Sequence, residues 1–178
     1  MFTKFRWAAL ALFLSAFLLT TPSRAQVPVA LDIDYALPVD SGPYSEGFGG
    51  QLRFGPMMDL AILRLTTEIG LGIHDFSGPL GPTMFRGVIG TRLGLGVLIR
   101  PSVYGHLGVG HANFDTTPDL THLTLDVGAA LDFSIVPGFE LGAHGAYNFL
   151  FGDGTVGSFG FLVLGGHMTF ILGAGDDD

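Results

Sequence analysis

Hydrophobic and polar side chains alternate along several stretches of this chain, and residues 61–73 show the pattern most clearly. Almost all of their odd positions are apolar, whereas the even positions from Arg64 onward carry charges, a hydroxyl or no side chain beyond hydrogen. Successive side chains of a β-strand point to opposite faces of a sheet. The alternation therefore predicts a strand with one apolar and one polar face.

The same alternation recurs often enough to predict an all-β chain of eight strands. We place them at residues 29–37, 48–55, 61–73, 84–97, 102–110, 120–135, 139–149 and 158–172. In the eighth strand the apolar positions are odd before Gly165-Gly166, as at Phe159, Phe161 and Val163, and even after it, as at Met168, Phe170 and Leu172. A change of phase inside one strand predicts a β-bulge at the two glycines.

The predicted connections alternate between short and long. Tight links are expected at residues 55–59, 99–101 and 136–138, where glycine and proline occur. Longer segments rich in glycine, proline and aspartate are expected at residues 39–47, 74–83, 113–119 and 152–157. An even number of strands with short turns at one end and longer loops at the other is typical of an up-and-down transmembrane β-barrel.

The first 25 residues have the features of a signal peptide. Lys4 and Arg6 precede an apolar run at residues 7–19, and Ser23-Arg24-Ala25 supplies a small-residue exit, which predicts cleavage before Gln26. The alternative is an uncleaved anchor helix, but the run is short for one. We assign residues 26–172 to the barrel and residues 173–178 to an acidic tail. The chain has no cysteine, which excludes lipoprotein acylation and disulfides.

The charge balance excludes one class of partner. Without the leader, five basic residues, all arginine, face sixteen acidic ones, for a net charge of −11 with histidine neutral. Nucleic-acid binding requires clustered positive charge, so no nucleic-acid partner is expected. The mean hydropathy is nevertheless +0.49. Beyond the leader no apolar run is long enough for a membrane helix, which leaves a barrel as the membrane option.

The charged residues of the strands share the polar faces. In a membrane barrel they would meet in the lumen, where acids and bases can pair. A soluble secreted barrel with an apolar ligand cavity is the inverted alternative, but the absence of lysine after the leader argues against a solvated charged exterior. We predict a structural lumen network of Asp32, Asp34, Arg53, Arg64, Glu68, Arg86, Arg92, Asp126, Asp132, Glu140 and His144.

Histidine chemistry is the main catalytic or metal possibility. Neighbouring strands could bring His144 close to Asp132 as a base and its orienting acid, but a lumen histidine hydrogen-bonded to a carboxylate needs no catalytic role. Ligands within one strand would follow a His-x-His spacing, which does not occur. The glycine pairs at residues 94–96 and 108–110 lack the strand–turn–helix context of phosphate binding. We therefore predict no metal, no cofactor and no catalytic residue.

The chain resembles the small eight-stranded outer-membrane barrels that include OmpA-type barrel domains and OmpX, over residues 29–172. The resemblance implies an outer-membrane location, contact with lipid and insertion by the barrel-assembly machinery. Members often end at an aromatic residue that this machinery reads. Met168-Thr169-Phe170 is similar to such an ending, although eight residues follow Phe170.

Three kinds of function follow as expectations. The first is a structural or surface-interaction role with a filled lumen, the surface partner being unknown. The second is a narrow conduit for small solutes or hydrophobic molecules, for which OmpW-like barrels are the family precedent. The third is lipid modification, but deacylases of this architecture carry a lipid-facing His-x-Ser, which this chain lacks. We therefore do not expect an enzyme.

Heat modifiability tests the predicted membrane barrel. We expect residues 26–178, folded in detergent, to give a β-rich circular dichroism spectrum and to migrate faster on a gel unheated than boiled. A protein that is soluble without detergent, β-rich and unshifted would mean that the faces are inverted.

Overall fold

The computed structural model describes residues 26–39, 45–78, 81–114, 119–152 and 158–173, and they form a closed antiparallel barrel. The strand segments are β1 (Val27–Pro38), β2 (Gly47–Phe54), β3 (Met57–Leu60), β4 (Leu63–Phe76), β5 (Thr83–Leu95), β6 (Ile99–Asn113), β7 (Leu120–Val136), β8 (Phe139–Leu150) and β9 (Phe159–Leu172). The predicted leader and the last five residues of the predicted tail lie outside the described residues. Within those ranges no helix is long and apolar enough to cross a membrane.

The nine strand segments form an eight-stranded barrel. Segments β2 and β3 count as one strand, because they pair one after the other with the same edge of β4. Each other strand pairs with its neighbours in the chain, and β9 pairs with β1 to close the barrel. Closure leaves no open sheet edge. The predicted eight-stranded antiparallel barrel is therefore confirmed.

The two ends of the barrel differ. The turn end carries the connections at residues 61–62, 96–98 and 137–138, together with the start of β1 and the end of β9. The loop end carries the connections at residues 39–46, 77–82, 114–119 and 151–158. In outer-membrane barrels the short turns are periplasmic and the longer loops external.

Two of the three predicted tight links are wrong in position. The chain does not turn at residues 55–59, because Pro56 still accepts a hydrogen bond from the Thr67 amide at 3.0 Å and the strand resumes as β3. The turn is at residues 61–62, with Ala61 at φ +56°. The second turn is at residues 96–98 instead of 99–101, since Gly96 at φ +122° supplies the turn conformation. The link before Phe139 is correct.

The β-bulge predicted at Gly165-Gly166 does not exist. Strand β9 keeps continuous register with both β1 and β8 through these glycines. Its even positions from Leu162 onward are exposed, and its odd positions from Phe159 to Thr169 point into the lumen. Phe161 and Val163 are therefore lumen side chains, contrary to the prediction. The register does shift in β7, between Ser134 and Val136.

The lumen at the loop end is apolar, which explains the misleading pattern of β9. Phe161 is 1% exposed and Met84 is fully buried. The Phe76 ring packs edge-on against the rings of Phe159 and Phe161, with centroids 5.3 and 5.2 Å away. We call this group the apolar plug, and its buried members are Ala36, Phe76, Met84, Ala112, Leu150, Phe159, Phe161 and Val163.

The outer surface of the barrel is apolar. Large side chains on every barrel strand are exposed there, for example Ile33 at 72% and Ile89 at 57%. A soluble monomer rarely exposes a continuous apolar surface of this kind, so the exterior matches hydrocarbon. The arrangement excludes the inverted soluble barrel.

Aromatic side chains cluster on this outer surface near both ends. At the loop end Tyr35 lies against Phe48 with ring centroids 5.2 Å apart, and Tyr147 stacks on Phe149 at 6.3 Å. At the turn end Phe139 lies 5.2 Å from Phe170. Aromatic residues favour the two membrane–water interfaces, so these pairs mark the edges of the lipid-facing band.

Single tryptophans test the phase of β9. Trp7 lies in the predicted leader, so the chain from Gln26 onward has no tryptophan of its own. We expect Leu162→Trp fluorescence to be strongly quenched by lipids brominated on their acyl chains, and Phe161→Trp fluorescence to be nearly unaffected. A bulge at Gly165-Gly166 would reverse the two results.

Candidate functional site: the charged lumen

Below the apolar plug, charged side chains fill the lumen. The strands place them there because the inward positions of each strand alternate with its lipid-facing ones. The structure places all the sequence-predicted residues on this inner surface, with Arg64 and His144 half-buried and the others buried. The buried ones are Asp32, Asp34, Arg53, Glu68, Arg86, Arg92, Asp126, Asp132 and Glu140.

Glu140 organises the turn end of the lumen. One of its carboxylate oxygens accepts hydrogen bonds from Arg64 and Arg100, both at 2.8 Å, and from the Ser134 hydroxyl at 3.1 Å. Arg64 also binds Asp59 through two nitrogens, at 2.7 and 2.9 Å. The cluster joins strand segments that are distant in the chain.

A chain of ion pairs crosses the middle of the lumen. Arg53 donates to both oxygens of Asp32, at 2.7 and 2.9 Å, and to Glu68 at 2.7 Å. Arg92 continues it, with nitrogens 3.2 Å from Glu68 and 3.5 Å from Asp132. The charge-assisted hydrogen bonds of Arg53 and the ion pairs of Arg92 offset part of the cost of burying the charges.

Aromatic rings contact two of the arginines. The guanidinium of Arg92 lies over the Tyr104 ring at 4.9 Å, and that of Arg86 lies over Phe161 of the apolar plug at 5.5 Å. Arg86 also donates to the Asn148 side-chain oxygen and lies 3.6 Å from Asp126. Arg86 therefore connects the charged lumen to the plug.

His106 is held by two carboxylates. Its Nδ1 lies 2.6 Å from Asp126 and its Nε2 lies 2.9 Å from Glu68. An ionised carboxylate only accepts hydrogen bonds, so both contacts are hydrogen bonds to ionised carboxylates only when both ring nitrogens carry protons.

Two further histidines form a pair between β8 and β9. The Nδ1 atoms of His144 and His167 are 3.2 Å apart. The Nε2 atom of His144 contacts Asp34 at 2.8 Å, and that of His167 contacts Asp132 at 2.6 Å. Asp132 therefore pairs with His167 and not with His144, because the register sets Asp132 opposite Gly142 and His144 opposite Ala130.

Close approach of the two imidazoles depends on glycine. A Cβ at Gly142 would lie 2.5 Å from Cε1 of His167, and one at Gly165 would lie 2.8 Å from Cε1 of His144. Both distances are shorter than real Cβ contacts, so alanine at either position would displace a ring. The two glycines leave the space that the histidine pair occupies.

The predicted network leaves out five buried charged, amide or imidazole residues of the described lumen, one of which is His106. Arg100 was assigned to a turn and His74 to a loop, although both continue the inward alternation of their strands. His74 is fully buried and lies 3.0 Å from Asp34. Asn148 and His167 were not included in the predicted network. Extending the alternation by one or two residues would have found Arg100 and His74.

Comparison with known proteins supports the fold alone. No family model matches the chain, and no curated protein matches it by sequence. Among solved structures, the neisserial surface protein NspA is 16% identical over 81% of this chain and 96% of its own, with a TM-score of 0.69. Ail, the attachment invasion locus protein of Yersinia pestis, is 18% identical over 82% of this chain and 99% of its own, with a TM-score of 0.52.

A third neighbour is an enzyme. The outer membrane enzyme PagL is 15% identical over 79% of this chain and 98% of its own, with a TM-score of 0.53. The fold is thus that of small outer-membrane β-barrels, which confirms the resemblance inferred from the pattern. Because enzymatic and non-enzymatic proteins share this architecture, function has to be argued from the lumen and the surface.

Removal of Arg92 tests the energetic role of the central ion pairs. We expect Arg92→Ala to lower the free energy of unfolding by about 3–5 kcal/mol, because Glu68 and Asp132 would stay buried with one partner fewer. Urea unfolding followed by circular dichroism in lipid vesicles measures this.

Asp59→Ala is the matched control, because this carboxylate is 43% exposed. This substitution should lower the free energy of unfolding by about 0–1 kcal/mol, because exposed ion pairs contribute little to stability. Equal unfolding curves for Arg92→Ala and the wild type would contradict a structural role for the central ion pairs.

Proposed function

We propose that this chain is an outer-membrane protein with a structural or surface-interaction role and a lumen that is filled instead of open. The location is supported by the apolar exterior, by the fold shared with NspA, Ail and PagL, and by the predicted leader. The lipid-facing band makes outer-membrane lipid one partner. The barrel-assembly machinery is proposed as a second partner, during insertion.

The filled lumen is the observation that carries the proposal. Two cavities within the described lumen measure about 30 and 20 Å³, and a third of about 400 Å³ lies at the turn end beside Arg64, Arg100 and Glu140. The first two hold about one to three water molecules each, because a water needs about 10–15 Å³. The apolar plug lies between them and the loop end. Eight strands leave an interior only wide enough for side chains, and here those side chains pair with one another.

The charge distribution favours a surface role at the loop end. All five arginines that follow the leader are lumen residues. Exposed acidic residues near the described parts of the loops include Glu46, Asp75 and Asp119. Such a surface repels anionic partners and favours neutral or cationic ones. NspA is named a surface protein and Ail the attachment invasion locus protein, which agrees with this proposal.

Planar-bilayer recording separates a filled barrel from a conduit. We expect the wild-type protein to give no discrete conductance steps, because the ion pairs and the plug fill the middle and the loop end of the described lumen. The recordings should be repeated with Asp126→Asn, which changes lumen charge, and with Leu71→Ala, which changes only the lipid-facing surface.

Two results would contradict the proposed role and assign a different function. Discrete wild-type steps that shift in Asp126→Asn, but not in Leu71→Ala, would assign a conduit. Altered lipid A in cells that express the protein, compared with cells that do not, would assign an enzymatic role.

A further inference from the structure

Three potential metal ligands converge where the barrel closes. His144 is on β8, His167 is on β9 and Asp32 is on β1, so they belong to three adjacent strands. His167 lies directly opposite Asp32 in the β1–β9 register. One ligand atom from each residue lies within 4.8 Å of the other two. The closing seam of the barrel thus brings two imidazoles and a carboxylate together.

The two imidazoles have the geometry of metal ligands. Two nitrogens bound to one tetrahedral Zn²⁺ at about 2.0–2.1 Å lie about 3.3 Å apart. The Nδ1 atoms of His144 and His167 are 3.2 Å apart. The rings therefore need little movement to bind one ion through these atoms.

Each imidazole is also held as a metal ligand usually is. A histidine that binds metal through one nitrogen generally donates its other N–H to a carboxylate, which fixes the orientation of the ring. Asp34 accepts from Nε2 of His144 at 2.8 Å, and Asp132 accepts from Nε2 of His167 at 2.6 Å. These contacts leave the two Nδ1 atoms facing each other.

The charge balance of the central lumen suits a cation. Its five carboxylates are opposed by three arginines, so two negative charges remain; the carboxylates are Asp32, Asp34, Glu68, Asp126 and Asp132, and the arginines are Arg53, Arg86 and Arg92. Protons on the histidines that contact these carboxylates, His74, His106, His144 and His167, or a bound cation can offset these charges.

We propose that this cluster is a binding site for a first-row divalent transition metal, with Zn²⁺ as the best match. The ligands are Nδ1 of His144, Nδ1 of His167 and one carboxylate oxygen of Asp32. That carboxylate also binds Arg53, but each oxygen has two lone pairs, so it can accept a hydrogen bond and bind an ion. The fourth ligand would be water, and a cavity of about 20 Å³ lies against two of the three ligands, Asp32 and His144.

The ion would act as a clamp on the closing seam. It would tie the last two strands to the first, across the β1–β9 pairing that completes the barrel. Any ion that binds the folded state better than the unfolded chain stabilises the fold in proportion to its affinity and concentration. The site differs from the rest of the lumen network, whose contacts need no metal.

Cobalt and zinc binding to the untagged barrel test the proposal. Residues 26–178 are folded in detergent, with metal added either during or after folding because the lumen is closed. Bound metal is measured after removal of the free ion, and Co²⁺ is followed by its visible absorption. We expect one tightly bound ion per barrel, a tetrahedral cobalt spectrum, and a higher temperature for loss of the fast-migrating gel band.

His144→Gln and His167→Gln should each lose the bound ion and the thermal shift. Asp34→Asn should weaken binding by about 10–100-fold, as the loss of an outer-shell partner does. His122→Gln is the matched control, because His122 is on β7 outside the cluster, and it should bind like the wild type. The gel shift shows which variants have folded.

A wild-type measurement keeps the test independent of the variants. Zn²⁺ should shift the Nδ1 resonances of two histidines in the ¹⁵N-labelled barrel and leave their Nε2 atoms protonated. No bound ion in either wild-type preparation would overturn the proposal. So would equal binding by folded His144→Gln or His167→Gln.

Discussion

The exclusion of charge from hydrocarbon is the constraint on which this structure depends. A strand that crosses the membrane has one face in lipid, where an arginine costs about 2–4 kcal/mol at the midplane. Every arginine after the leader therefore lies on an inward position, together with the carboxylates that pair with it. Because closure brings these side chains within hydrogen-bond distance, the barrel supplies the partners that make their burial tolerable.

The lumen is divided between two kinds of chemistry. Ion pairs occupy the turn end and the middle, whereas phenylalanine and small apolar residues occupy the loop end. Arg86 links the two through its contacts with Asp126 and Phe161. Both parts exclude bulk water, one by mutual pairing of charges and the other by close packing of rings. A lumen of this kind suits a rigid scaffold for the loops better than a passage for solutes.

The closing seam has its own chemistry. Strand β9 pairs with β1 along twelve residue pairs, from Val27–Leu172 to Pro38–Phe161. His144 and His167 lie on the last two strands, and Asp32 lies opposite His167 on the first. A bond network that spans these strands forms only when the barrel closes. The contact of His144 on β8 with Asp34 on β1 thus depends on completed assembly.

The sequence by itself determined the strands, their number and the side of each strand that carries charge. Alternation is a local property, and the cost of placing Arg53, Arg64, Arg86 or Arg92 in lipid leaves only one orientation. The positions of two turns did not follow from the sequence. Proline occurs both at turns and at interruptions within a strand, as at Pro56, and the turn before Arg100 is made by Gly96 and not by Pro101.

The tertiary structure decided what no local pattern contains. Phe159, Phe161 and Val163 are apolar yet point inward, because the loop end of a closed barrel is small enough to be filled by rings instead of ions. The pairing of Asp132 with His167, and the meeting of His144, His167 and Asp32, depend on register between strands that are far apart in the chain. Hydrophobic alternation sets the face of each residue, but only closure of the barrel sets its neighbours.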